Sequence, residues 1–190
     1  MTEPVTRDER ERRLGQRGVA VWLTGLSSSG KTTLALGAER ALFDEGFVTQ
    51  RLDGDELRRG LNAGLGYSLT DRHENIRRLA EVARIHAHAG LVVLVAAISP
   101  TREIREMART TIGSGDFFEV YVACPLEVCE ARDVKGMYRR ARRREITEFT
   151  GIDSPYEPPE AAALTIRTDL LDEAASVGLL AEAVAARARG

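Results

Sequence analysis

The chain has 190 residues, of which 43% are hydrophobic and 29% charged, and a formal net charge of −2. That length suits one domain with its own core, and the near-neutral balance offers no field for nucleic acid or an anionic membrane, so neither is an expected partner. No apolar run approaches the roughly 20 residues needed to span a bilayer. The charged start MTEPVTRDERERRLGQRG lacks the apolar segment of a secretory signal, which makes the expected location cytoplasmic.

Residues 1–18 read as a charged, solvated arm in which acids interleave with arginines. From 19 to 190 the pattern is that of a single domain. VAVWLTG (19–25) reads as a buried strand, 31–44 as a helix, and VTQRLDG (48–54) as a second strand. DELRRGLN begins with Asp55, a residue suited to a helix N-cap. The long helix of 70–90 carries Ile76, Leu79, Val82, Ala83 and Ile85 along one side and stops at Gly90. LVVLVAAIS (91–99) is an apolar run of the kind buried on both faces. An amphipathic helix, the strand DFFEVYVAC (116–124) and a helix begun by Pro125 follow. A weak last strand (164–169) and an Ala-rich helix (172–188) close the chain. Strands alternating with helices predict an α/β fold of three layers, with a mainly parallel five-stranded sheet and helices on both faces. Right-handed crossovers bring loops 25–32, 53–60, 99–105 and 124–145 to one sheet edge.

GLSSSGKT fits the phosphate-loop pattern at Gly25, Gly30, Lys31 and Thr32. Small residues let the backbone N–H groups of Leu26, Ser27, Ser28, Ser29 and Gly30 converge on one anion, and the following helix adds its positive end. Lys31 is one of only two lysines among the cationic residues, the other being Lys135. It is expected at the β- and γ-phosphates of ATP, with Thr32 offering its hydroxyl to Mg²⁺ beside Thr33. A GTPase base-reading motif is absent, and the central apolar strand ends in Ser99 rather than Asp. The nearest carboxylates are Asp53 and Asp55, candidates for the metal and for handling an acceptor hydroxyl, or else a turn residue and a helix cap.

Arg58 lies one turn beyond Asp55, and Arg72, Asn75 and Ile76 share a helix face at i, i+3 and i+4. They either grip an anionic acceptor or belong to an exposed helix laced with Glu74–Arg78 pairs. Tyr67 in GLGYS and Phe149 in EFTGID stand in polar loops, where an aromatic ring either sandwiches a purine or packs beneath the loop. RDVKGMYRRARRR holds seven cationic residues and one acid between 132 and 144. It suits a lid over phosphates at about 132–150, with Gly136 and Gly151 as flexible points, or else a solvated basic helix or a nucleic-acid patch.

The segments GLSSSGKTT, LDGDELRRGLN, GYSLTDRHENIRRLAEVARI, AAISPTREIREMAR, FFEVYVACPLEVCEARDVKGMYRRAR and ITEFTGIDSPYEPP, in order over roughly 19–160, resemble the adenylylsulfate kinase (APS kinase) family of P-loop kinases. Members move the γ-phosphate of ATP to the 3′-hydroxyl of adenosine 5′-phosphosulfate (APS), giving PAPS. The resemblance implies a three-layer P-loop kinase fold, Mg²⁺ with ATP, and a homodimer. It implies that Lys31, Asp55 and Ser99 are catalytic, Ser99 matching a serine assigned as a phosphoserine intermediate that direct in-line transfer does not need. It puts Arg132 and Lys135 on the lid over ATP, Arg58, Arg72 and Asn75 at the phosphosulfate, and Tyr67 and Phe149 about the APS adenine. The sequence departs from the family at Tyr67 (usually Phe), Glu56 (usually Asn), and Thr101 and Ile104 (usually Tyr and Asp). Two other functions stay open: a P-loop kinase of another anionic nucleotide or metabolite, and a non-catalytic nucleotide-binding module. Cys124 and Cys129 read as buried structural thiols, and His86 and His88, two apart on a helix, cannot chelate together.

Overall fold

The structure, a computed structural model, describes residues 2–189; Met1 and Gly190, the ends of the expected arm and domain, lie outside them. Five strands, β1 (Val19–Thr24), β2 (Thr49–Asp53), β3 (Val92–Ala96), β4 (Phe117–Ala123) and β5 (Leu164–Arg167), form one sheet. Their order is β2-β3-β1-β4-β5 and every pairing is parallel. The central strand β1 pairs on both sides, with Leu23 opposite Ala96 of β3 and Val120 of β4.

The central strands β1 and β3 are buried along their whole length because both sheet faces are covered, while the edge strands β2 and β5 carry polar, partly exposed residues. Val19, Val21, Leu23, Val92, Leu94 and Val120 point to one face, against α2 (Lys31–Asp44) and α8 (Glu173–Arg189). Ala20, Trp22, Val93 and Val95 point to the other, against α4 (Leu69–His88) and α5 (Arg102–Ile112). The chain therefore leaves β1 toward one face and β3 toward the other, which opens a crevice at the C-terminal sheet edge between them.

Three details differ from the sequence reading. The short α3 (Gly54–Leu57) is capped by Asp53, whose side chain accepts from the backbone N–H groups of Asp55 and Glu56. Asp55 is thus not the cap but the second residue of the helix, and its carboxylate is free for other work. On α4 the buried stripe is Ile76, Leu79, Ala80, Ala83 and Ala87, while Ile85 is exposed. The period of 3.6 favours the small alanines at the sheet over a larger residue one step out of phase. A helix α1 (Arg7–Leu14), with a Thr6–Glu9 capping box, also folds onto the domain. Arg7 forks onto Asp116, 109 residues away, at 2.5 and 2.8 Å, and buried Gln16 bonds Val48 and Gly90.

Beyond the sheet edge, α6 (Leu126–Arg132) and α7 (Met137–Arg142) build a small separate core of Cys124, Cys129, Tyr138, Ala141 and Phe149.

Candidate active site

Strand β1 ends in the loop 25–30, and the backbone there admits few alternatives. Gly25 has φ of +153°, and a Cβ on it would lie 2.5 Å from the Val122 carbonyl oxygen, so no side chain fits. Lys31 opens α2 and is 9% exposed. Its Nζ donates to the carbonyl oxygens of Gly25 (2.9 Å) and Leu26 (2.6 Å). Burial lowers its pKa to about 8, against the opposing pull of the Asp55 charge. Thr32 Oγ1 donates to Asp53 Oδ2 at 2.8 Å, tying the phosphate loop to the end of β2. The Asp55 carboxylate, not engaged in capping, pairs with Lys135 of the α6–α7 connection.

A cavity of about 900 Å³ follows this edge. Ser27, Ser28, Gly30, Lys31, Thr32 and Thr33 form one end of it, with Asp53 and Asp55 beside them. Arg58, Tyr67, Arg72, Asn75, Ile76 and Phe149 form the other, and Ser99, Arg132 and Lys135 complete the wall. Three expected loop residues stand outside that wall. Gly25 and Leu26 present carbonyls to Lys31, the Leu26 side chain packs on the α6–α7 core, and Ser29 is fully buried with its carbonyl accepting from Thr168.

The two readings of the cationic residues divide between different arginines. Arg77 and Arg78 pair with Glu74 toward solvent, which holds the Glu74 carboxyl down at about 2 through their hydrogen bonds. Arg58 and Arg72 instead face the cavity. Arg58 donates to the Leu65 and Gly66 carbonyls and sits 4.5 Å over the Tyr67 ring. Arg72 donates to the carbonyls of Tyr67 and Glu148, both at 2.7 Å. Carbonyl partners fix a guanidinium without cancelling its charge. Burial, then the neighbouring Arg58, depress the Arg72 pKa.

The aromatics also divide. Tyr67 is 53% exposed and free to meet a ligand. Phe149 is 7% exposed and meets Tyr138 edge-on at 5.0 Å, so it packs beneath its loop while one part lines the cavity. Ser99 is 1% exposed, with φ of +41°. Its hydroxyl accepts from Trp22 Nε1 at 3.0 Å and donates to the Ala97 carbonyl at 3.3 Å.

Several supporting residues escaped the sequence reading. Buried Arg105 meets Glu119 at 3.0 Å and donates to the Ser99 and Glu157 carbonyls; the signal was a lone acid inside the apolar run FFEVYVA. Tyr138 Oη donates to the Ser27 carbonyl at 3.1 Å, joining α7 to the phosphate loop. Arg132 clasps the Thr168 carbonyl at 2.6 Å. Gly151 has φ of +91°, and a Cβ there would press on Leu26 and Leu126 at 3.0 and 3.2 Å, so close packing, as well as chain freedom, requires glycine. The departures settle locally: Glu56 turns to Arg51, Thr101 caps α5 and Ile104 enters the core. Cys124 and Cys129 are free and buried, and burial pushes the Cys129 thiol up to about 12. No cluster of three or more His, Cys, Asp or Glu side chains that could hold a metal occurs among the described residues.

The family model for adenylylsulphate kinase matches residues 17–167, more than half the chain and most of the cavity lining. The chain belongs to the adenylylsulfate kinase family. An adenylyl-sulfate kinase of Shewanella pealeana is 54% identical over 182 residues, covering 96% of this chain and 89% of the relative. One from Bacteroides thetaiotaomicron is 51% identical over 180 residues, covering 95% and 90%. The structure of Mycobacterium tuberculosis APS kinase CysC in complex with AMPPNP and APS superposes with a TM-score of 0.82 at 49% identity, over 86% of this chain and 96% of that one. The five-stranded parallel sheet with its two helical layers is the P-loop kinase fold of this family. No described helix is long and apolar enough to cross a membrane.

Proposed function

We propose that the protein is an ATP-dependent adenylylsulfate kinase, moving the γ-phosphoryl group of ATP to the 3′-hydroxyl of adenosine 5′-phosphosulfate to give PAPS. The observation that carries this is one continuous cavity with two unlike ends. At one end is a backbone cradle with a buried ammonium; at the other, two arginines held by carbonyls stand beside an exposed aromatic ring. The first suits a polyphosphate and the second a sulfated nucleotide. A relative of the same fold takes AMPPNP and APS in one complex.

In the transfer the 3′-oxygen bonds to the γ-phosphorus as the bond to the β–γ bridging oxygen breaks. The hydroxyl proton leaves toward Asp55, and charge spreads over the equatorial oxygens. Lys31 and the loop N–H groups stabilise that charge; Arg132 and Lys135 close the donor side and exclude water. Once a phosphate draws Lys135 away, Asp55 is released to accept the proton. The Thr32 hydroxyl and the Asp53 and Asp55 carboxylates are hard oxygen donors suited to Mg²⁺, which takes few protein ligands and keeps waters and phosphate oxygens. When bound, the ion would neutralise charge on the β- and γ-phosphates. Ser99, its hydroxyl engaged on Trp22 and Ala97, takes a positioning role rather than that of a phosphoryl carrier.

Incubation with ATP and APS tests the reading: PAPS and ADP should form in equal amounts. ADP formed only with some other acceptor would contradict it, and so would APS bound without transfer. The same reading takes the protein as a cytoplasmic homodimer, for which light scattering should return twice the chain mass.

A further inference from the structure

Two asparagines touch behind the acceptor end of the cavity. Asn62, in the turn after α3, is fully buried, and Asn75, on α4, is 6% exposed. Nδ2 of Asn62 donates to Oδ1 of Asn75 at 3.0 Å. The other amide atom of Asn62, Oδ1, has no partner among the described residues. Reversing both amides would strand N–H donors in its place, and an unpaired buried N–H is rarer in folded proteins than an under-satisfied carbonyl. The pair is therefore set in one sense. Asn75 has its acceptor oxygen occupied from behind, and its two N–H donors are left for the cavity it lines.

We propose that Asn62 is a positioning residue that holds the Asn75 amide so that it offers donors, and not its carbonyl, to the anionic end of the acceptor. This rests on reading the Arg58–Arg72–Asn75 end as the acceptor site. An amide free to rotate presents oxygen as readily as nitrogen, and an oxygen turned toward a sulfate or phosphate repels it. Asn62 does not reach the cavity, so its effect passes through Asn75 alone. Its backbone is fixed by the same turn that serves the arginines: its N–H donates to the Leu57 carbonyl at 2.9 Å and its carbonyl accepts from Leu65. Leu65 in turn offers its own carbonyl to Arg58. Turn, arginine and amide thus form one support for a ligand with oxyanion character.

Calorimetric titration with APS, and separately with AMPPNP, tests this on Asn62→Leu and Asn62→Ala. Each is made with Asn75 intact and in an Asn75→Ala background. Without Asn62, a bound anion that turns the Asn75 N–H groups forward leaves Oδ1 buried and unpaired, so the Kd for APS should rise about tenfold. AMPPNP affinity should stay within about twofold, and in the Asn75→Ala background loss of Asn62 should add nothing. The smaller Asn62→Ala carries the test if the leucine does not fold. APS affinity unchanged, or weakened equally in both backgrounds, or weakened together with AMPPNP, overturns the orienting role. If Asn75→Ala itself leaves APS binding intact, the acceptor-site reading fails as well. If Asn75→Ala weakens APS but the Asn62 variants do not, only the orienting role fails.

Discussion

Lys31 is an ammonium taken out of water before any phosphate arrives. Its pKa falls from 10.5 to about 8 in the folded chain, chiefly through burial. Between those values the unfolded chain binds more protons than the folded one. The destabilising contribution of this group is therefore complete below about pH 8 and is relieved as pH rises toward 10.5. A polyphosphate favours the charged form, so ATP binding near pH 8 should take up protons, seen as buffer-dependent heats in calorimetry. For the same reason kcat/KM for ATP should fall above about pH 8. A profile flat to about pH 9.5 would mean that Lys31 keeps its proton unaided. Ser99 makes the opposite case, a hydroxyl whose partners define its work. Ser99→Ala orphans the buried Trp22 N–H and should cost about 1–3 kcal/mol of stability, read from urea unfolding. Turnover should drop by no more than about tenfold. Complete loss of transfer in a folded Ser99→Ala protein would restore the phosphoserine route.

Elements were legible where burial imposed a period. The inner strands β1, β3 and β4 stand where apolar runs placed them, because residues buried on both faces leave few polar gaps, whereas the marginal β2 (TQRLD) and β5 (LTIR) carry exposed polar residues and were legible only as a short and a weak strand. The cap of α3 was misread because Asp53 and Asp55 are both suited to the task; backbone direction at the end of β2 chooses Asp53. A helix at α7 was one of the readings of the basic segment, but its packed side was hidden because MYRRAR shows only Tyr138 and Ala141 to the interior, three residues apart in a run of arginines. The docking of α1 was hidden because its charge pattern gives no hint of Asp116. Tyr138 attaches α7 to the phosphate loop. Tyr138→Phe keeps the ring against Phe149 and removes the bond to Ser27, and should cost about 0.5–1.5 kcal/mol while raising the KM for ATP. Unfolding curves and initial rates check both, and no change in either would show that the bond ties nothing.

At the scale of the molecule, the site is a consequence of topology. Chain leaving β1 toward one face and β3 toward the other opens the crevice, and loops after β1, β2 and β3 meet residues of the segment 132–149 there. The phosphate end was legible because strand, loop and helix are contiguous in sequence. Of the acceptor end, sequence spacing showed only one helix face. Arg58 and Arg72, fourteen positions apart, are brought together by a turn and a helix packed on the far face of the sheet, and Phe149 joins them in the cavity wall from the α6–α7 core. A second cleft of about 620 Å³, between Leu126, Tyr121 and Tyr156, opens elsewhere on the same edge and gives the account a rival location for a nucleotide. A crystal structure with AMPPNP and APS bound together decides between them. The γ-phosphate should lie at Lys31, the sulfate end at Arg58, Arg72 and Asn75, and the 3′-hydroxyl should face Asp55. APS in the Tyr156 cleft, or with its 3′-hydroxyl turned from the γ-phosphate, would contradict this placement.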